Sequence, residues 1–414
     1  MRLFLKSVLL CVVAVILLTV PVFAAESATG PAMEPAAGPE KDSSRVSEEN
    51  QKKTDQAESG QTSDQASRAI KVESTDGGLV ISWPALPETE NYMVYRAEDG
   101  GKLKTVALVG PEDVVDPDAD YQGDWKAYYD GHPDISYPIP AVRPAQAIKD
   151  EAGQITRYTY TDSLILPGKS YQYYILAFQD NSGTWSVYDR EGTEGVWDVT
   201  AQEIRAGTQL TEEAVRQLGE DSFFDVIEID ADSDLFQNRM YGKSYKEYCN
   251  IPLEDLRYIR CLHRDIDDNI KVGELVVYTG VADDVCKIFH ELYRQKYPIE
   301  SMLLVDDFDA SDEWSIMHNN TSAFNYRTVD NTAELSNHAF GKAIDINPYY
   351  NVYWIPSENY VFPLDGGAYL DRTADFPYKL TEGDQCYRLF TDAGFEWGGY
   401  FTYNTDYQHF YYPG

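Results

Sequence analysis

The chain has 414 residues, 43% of them hydrophobic and 25% charged, enough for two or three domains of ordinary size. Lys and Arg number 34 against 69 Asp and Glu, a net charge of −35 that repels phosphate backbones and anionic lipid and makes nucleic acid a poor partner candidate. An aromatic content of 13%, with 32 Tyr, lies far above that of an acidic disordered chain, so most of the sequence is expected to fold.

Residues 1–24 read as a signal peptide. Arg2 and Lys6 precede an apolar run from Val8 to Val20, and Ala24 and Ala25 supply the small residues of a cleavage site. The uncharged stretch from Ser7 to Ala25 is also long enough to span a bilayer if left uncleaved, so an N-terminal anchor is the alternative. Either way the protein is expected to be secreted or associated with the cell envelope. Residues 25–69 are Glu, Lys, Ser, Gln, Asp, Pro and Ala with scarcely any large apolar side chain, which predicts a disordered polar tether. Cys249, Cys261, Cys286 and Cys386 allow one or two bridges, with Cys249 and Cys261 as candidate partners, but there is no CxxC pair for a four-cysteine zinc site.

From about Ile70 the pattern has period two: Leu79 to Trp83, Tyr92 to Tyr95, and Tyr171 to Phe178, separated by Gly, Pro and Asp turns. This predicts an antiparallel β module over residues 70–206, with residues 112–154 as an insertion. Trp83, and the run Leu166-Pro-Gly168-Lys-Ser-Tyr171-Gln-Tyr173-Tyr-Ile175-Leu-Ala177, resemble a fibronectin type III domain. The resemblance implies an all-β sandwich in which a Leu and a Tyr lock the corner between sheets, serving as a spacer or a binding module.

Residues 207–414 look α+β. Gly273 to Tyr278 reads as a strand. Val281, Val285, Ile288, Phe289 and Leu292 then recur at helical spacing before Pro298, and Met302 to Val305 reads as a further strand. A second helix carries Cys386, Leu389, Phe390 and Ala393 on one face and ends at Gly394.

Six His occur in the chain, and His338 and His409 stand in unusual settings. Ser336-Asn-His338-Ala-Phe-Gly341-Lys-Ala-Ile-Asp345 places a His before a Gly turn and a carboxylate on the alternating strand after it. Trp397-Gly-Gly is followed by Asp406-Tyr-Gln-His409-Phe. Two His and one carboxylate with a free fourth position make a catalytic zinc site, and the remaining carboxylate is placed to act as base. Zinc is the expected metal, one ion, although another divalent cation suits the same donors.

These blocks resemble the zinc peptidases that cut peptidoglycan stem peptides, a family joining VanY-type D-alanyl-D-alanine carboxypeptidases to L-alanyl-D-glutamate endopeptidases. The likeness runs from about residue 273 to 412 and includes Asn319 to Arg327. It implies a peptidase domain with an antiparallel sheet, His338, Asp345 and His409 as metal ligands, and Asp406 as general base. It further implies Arg327 as the cation that steadies the oxyanion, with Ser336 and Tyr326 as candidate substrate contacts, Ser336 being also placed to shape the turn. Asp at position 406, where many relatives have Glu, leans toward the endopeptidase branch. The rival reading is a non-catalytic wall-binding surface protein with a structural metal.

The remaining histidines, His132, His263, His290 and His318, read as surface or satisfied core residues. Asp306, Asp307, Asp309 and Asp312 form an acidic run without the Gly and Glu of a calcium loop and read as a solvated strand end.

Overall fold

The structure is a computed structural model that describes residues 70–86, 89–98, 101, 103–109, 145–179, 184–187, 192–329 and 332–414. The expected signal peptide and tether, His132, and most of the expected insertion lie outside these residues. Most of what is described is antiparallel sheet with few helices.

The described residues between 70 and 196 form two antiparallel sheets. One has the order β1-β2-β6-β5, made of Lys71–Thr75, Gly78–Pro84, Ile155–Asp162 and Ala145–Lys149 in that order. The other has the order β4-β3-β7-β8, made of Lys104–Val109, Thr89–Glu98, Ser170–Gln179 and Thr184–Val187, with β9 (Thr193–Val196) also on β7. The expected insertion therefore ends before residue 145, because Ala145–Lys149 pairs with β6 along the sheet edge. Period-two alternation buries Leu79, Ile81 and Trp83 of the first sheet against Tyr92, Val94, Tyr173 and Ile175 of the second. Trp83 meets Tyr92 across the gap with ring centroids 5.7 Å apart. At the corner before β7, Leu166 N–H donates to the Tyr171 hydroxyl at 2.9 Å, the lock expected from those two residues.

The C-terminal part is built on the antiparallel sheet β10-β13-β12-β11, comprising Gln209–Leu210, Ile270–Tyr278, Leu256–Arg264 and Asp225–Glu228. Before it comes the short helix α1 (Glu212–Leu218). Helix α2 (Ala282–Arg294) lays Val285, Ile288, Phe289 and Leu292 into the core, the face expected from spacing, and ends ahead of Pro298. The expected strand at Met302 to Val305 does not form. The Asn320 side chain takes the backbone of Leu303 instead, accepting its N–H at 2.8 Å and donating to its carbonyl at 2.9 Å, and a 3-10 turn starts at Val305. Next come α3 (Asp312–Met317) and, further on, α4 (Gln385–Asp392), after which Gly394 adopts φ +87°.

Two small sheets complete this part. One has the order β14-β19-β17: Ala343–Asp345, His409–Tyr411 and Glu396–Trp397. The other has the order β16-β15-β18: Tyr360–Phe362, Tyr353–Ile355 and Thr405–Asp406. No helix among the described residues is long and apolar enough to cross a membrane. All four described cysteines are free, so Cys249 and Cys261 do not pair; Cys261 is sealed within β12.

The core of the two sheets does not stop at residue 206. Leu262, Ile270, Val272 and Tyr293 belong to the same buried cluster as Trp83 and Trp197. Gly207 N–H donates to Val272 O at 2.7 Å, and the Arg260 guanidinium donates to Ala201 O and Ile204 O from a buried position. A shared core predicts that residues 70–414 unfold together: thermal transitions followed by Trp fluorescence and by far-UV circular dichroism should coincide.

His263 supplies a second prediction. Its ring is enclosed and Nδ1 bonds to Ile299 O at 2.8 Å, and burial pulls its pKa down to about 4. The unfolded chain therefore binds this proton at higher pH than the folded chain, against a reference of about 6.5. The contribution of neutral His263 to stability is complete above about pH 6.5 and is lost as the pH falls toward about 4. Urea unfolding at pH 7 and pH 5 should show the loss, and His263→Gln should reduce it.

Candidate metal centre

Each donor is placed by a different local device. Ser336 caps a 3-10 turn over Asn337–Phe340, its hydroxyl accepting the His338 N–H at 3.3 Å. The turn ends on Gly341 at φ +66°, where a Cβ would lie 2.6 Å from the Tyr278 backbone nitrogen. Only glycine allows this, and the approach lets Tyr278 N–H donate to Gly341 O at 2.8 Å, pinning the turn to the end of β13. His338 Nδ1 donates to Ala323 O at 2.6 Å, which turns Nε2 toward Asp345 and His409.

Asp345 and His409 are brought together by register, since β14 and β19 run antiparallel with Asp345 directly opposite His409. His338 Nε2 lies 3.2 Å from Asp345 Oδ2 and 3.3 Å from His409 Nδ1, and His409 Nδ1 lies 2.9 Å from Asp345 Oδ1. A tetrahedral ion with bonds of about 2.0–2.1 Å requires donors about 3.3 Å apart, so this triangle fits zinc nearly as it stands. All three groups are buried. Burial by itself would raise the Asp345 pKa, but the two imidazoles outweigh it and hold the carboxylate well below its usual range. Burial likewise opposes protonation of His409, and here Asp345 and Asp406 prevail and raise its pKa.

Asp406 comes from β18, where it pairs with Tyr353 of β15. Its side chain is half-buried, yet Oδ1 is sealed from solvent and has no hydrogen-bond partner. Burial pushes its pKa up to about 7, with the charge of Asp345 adding to the rise and His409 opposing it. Gln408 also hydrogen-bonds this carboxylate. The Trp397-Gly-Gly block has a steric purpose here: a Cβ on Gly398 would fall 2.7 Å from Asp406 O and 3.2 Å from the His409 Cβ.

Arg327 precedes a bridge between Thr328 and Leu335, and its carbonyl accepts Ser336 N–H at 3.0 Å, so its backbone adjoins the His338 turn. The guanidinium pairs with Asp312 at 2.7 Å and is close enough to His409 to oppose that ring's protonation. Ser336 acts as the cap of the turn. Tyr326 is buried, and its hydroxyl donates to Asn250 Oδ1 at 2.9 Å. Neither is brought to the donor triangle by any contact described here.

The acidic run is solvated only at Asp307 and Asp309 and does not end a strand. Asp306 is buried and accepts Ser244 N–H at 2.9 Å, while Asp307, Asp309 and Asp312 pair with Arg239, Lys243 and Arg327. Among the other His, His263 and His318 are enclosed core residues, and His290 is half-buried against Glu220 at 2.9 Å.

Arg372 was not anticipated. It donates to the carbonyls of Tyr350, Tyr369 and Leu380 and to Asn351 Oδ1, and its charge lies 4.4 Å from the Tyr407 ring centroid. It thus fastens the Tyr-rich segment after β14 to the residue next to Asp406. The signal was there in composition, because Arg372 is the only Lys or Arg between Lys342 and Lys379.

A family model described as D-alanyl-D-alanine carboxypeptidase matches residues 330–412. Comparison with curated proteins gives no match. The matched segment contains His338, Asp345, Asp406 and His409, and starts after Tyr326 and Arg327.

Gly398→Ala should test the steric reading. Forcing a Cβ against Asp406 O costs roughly 1–3 kcal/mol, seen as a lower urea midpoint, and should weaken any metal binding at the triangle because the displaced backbone leads to His409.

Proposed function

We propose that the protein is an exported zinc-dependent peptidase that hydrolyses peptide bonds of peptidoglycan stem peptides, either at a terminal D-Ala-D-Ala or after L-Ala. The observation that carries this reading is the His338, Asp345 and His409 triangle, with Asp406 beside it, its Oδ1 sealed and without a hydrogen-bond partner. The likeness of residues 330–412 to D-alanyl-D-alanine carboxypeptidases supports the substrate class.

His338 through Nε2, His409 through Nδ1 and Asp345 through its carboxylate would hold the ion. Zinc, when bound, lowers the pKa of a coordinated water toward about 7 and polarises the scissile carbonyl. Asp406 takes the proton of the attacking water and delivers it to the leaving amine, a role suited to a carboxyl whose pKa burial has moved up to about 7. Arg327, steadied by Asp312, supplies positive charge to the oxyanion. Gln408 and the Gly398 contact fix the orientation of Asp406, which matters because a misplacement of about 1 Å can cost two orders of magnitude in rate.

A structural zinc site closes its fourth position with protein, whereas here a carboxylate oxygen without a partner stands beside three donors, which favours catalysis over the purely structural alternative. The two-sheet part, whose Leu166 and Tyr171 form the corner of a fibronectin type III-like sandwich, serves in this reading as a rigid spacer joined to the peptidase through a common core. Residues 1–24 direct export and residues 25–69 give reach from the envelope.

The test is mass spectrometry of purified muropeptides digested with the zinc-loaded protein, with chelator, and with the Asp406→Ala and His338→Ala variants. Loss of one terminal alanine identifies a carboxypeptidase; a cut after L-alanine identifies an endopeptidase. Asp406→Ala should lose at least a hundredfold in rate while retaining one zinc per chain, and His338→Ala should lose the metal. No product from zinc-loaded protein across several peptidoglycan types would overturn the reading.

A further inference from the structure

Beside the donor triangle, an open depression of about 330 Å³ is lined by Glu396, Trp397, Tyr400, Phe401 and Tyr411, with Thr391 and Phe395 completing it. Its position follows from the register of the small sheet. Side chains two apart on a strand share a face, so Tyr411 lies on the face that carries His409, while Phe410 between them turns into the core and stacks on Phe390. Asp345 is opposite His409, and Glu396 of β17 is opposite Tyr411. The depression therefore begins one residue pair along the same face from the metal donors. Phe401 joins the two, its ring centroid 6.1 Å from His409 and 5.8 Å from Tyr411.

The lining has one chemical character. Five aromatic rings, counting Phe395, line it together with a carboxylate that is exposed and hydrogen-bonded by the Tyr411 hydroxyl. A second carboxylate, Glu382, reaches the hydroxyl of Tyr400 at the rim. Among the described residues no ion pair engages Glu396 or Glu382, whereas Asp307, Asp309 and Asp312 each pair with a cation. Ring faces with an unpaired carboxylate attract an ammonium group and accommodate its alkyl stem. The volume lies at the small end of ligand sites, enough for one side chain and not for a run of sugars.

We propose that this depression is a subsite for a cationic side chain with an aliphatic stem, that of lysine or another diamino acid in the substrate peptide, with Glu396 as its counter-charge. The assignment rests on the peptidase reading above and adds a specificity that the metal donors cannot supply.

The test compares the pentapeptide L-Ala-D-Glu-L-Lys-D-Ala-D-Ala with its norleucine counterpart, which keeps the stem and removes the charge. With zinc-loaded full-length protein, kcat/KM should favour the lysine peptide by roughly fivefold, as expected for a partly exposed cation–π and charge contact, and Glu396→Gln should bring the ratio toward one. Equal cleavage of both peptides, or a preference that survives Glu396→Gln, overturns the subsite and leaves the peptidase reading standing. If neither peptide is cut, the muropeptide digestion above decides the peptidase reading, and calorimetric titration of the zinc-loaded Asp406→Ala variant decides the subsite separately. Tighter binding of the lysine peptide that is lost on adding Glu396→Gln supports it; equal or absent binding overturns it.

Discussion

The pairing of β14 with β19 is the constraint on which the rest of the site depends. Asp345 and His409 are 64 residues apart and become neighbours only because the register sets them opposite each other. A slip of one residue would turn both side chains to the other face and bring Ile344 and Phe410 out of the core. Those two apolar residues hold the register. Both are fully buried, and Phe410 stacks on Phe390 with centroids 4.6 Å apart. On the other side of β14, Ser322 and Asp345 exchange backbone hydrogen bonds at 3.2 and 2.9 Å, and the next carbonyl, Ala323 O, orients His338. Hydrophobic burial on one face thus assembles the donors on the other.

Charge is handled by the same economy of position. The chain is strongly acidic, yet several carboxylates of this part are committed: Asp312 to Arg327, Asp307 to Arg239, and buried Glu274 to Arg239 and the Tyr258 hydroxyl. Breaking a buried pair leaves an uncompensated charge, so these pairs fix conformation whatever their net contribution to stability. Asp406 differs: burial, reinforced by the charge of Asp345, outweighs His409 and Gln408 and raises its proton affinity to about 7. In the surrounding structure, Arg372 is held by carbonyls, Asn351 and an aromatic ring.

The two-sheet part is tied into the same framework. Val272 of β13 exchanges backbone bonds with Gly207 and Thr208 on one side while its strand pairs with β12 on the other, and the end of β13 receives the Gly341 turn that carries His338. A continuous path of sheet and core therefore runs from the N-terminal sheets to the donor triangle.

Local pattern determined much of this protein from the sequence. Period-two alternation located the strands around Trp83, Tyr92 and Tyr173, helical spacing located α2 and α4, and the His338, Asp345 and Asp406 to His409 blocks marked the site, because each signal is carried by residues close together in the chain. The tertiary structure decided what depends on distant partners. Met302 to Val305 has the composition of a strand, but Asn320 takes its backbone groups; Cys249 and Cys261 have plausible spacing and remain free; the four aspartates after Val305 resemble a solvated run and each find a partner from another segment. A sequence states which residues want burial, charge or hydrogen bonds, but which group satisfies each of them is fixed only when the register of β14 with β19 and the packing around it bring separate stretches of chain within bonding distance.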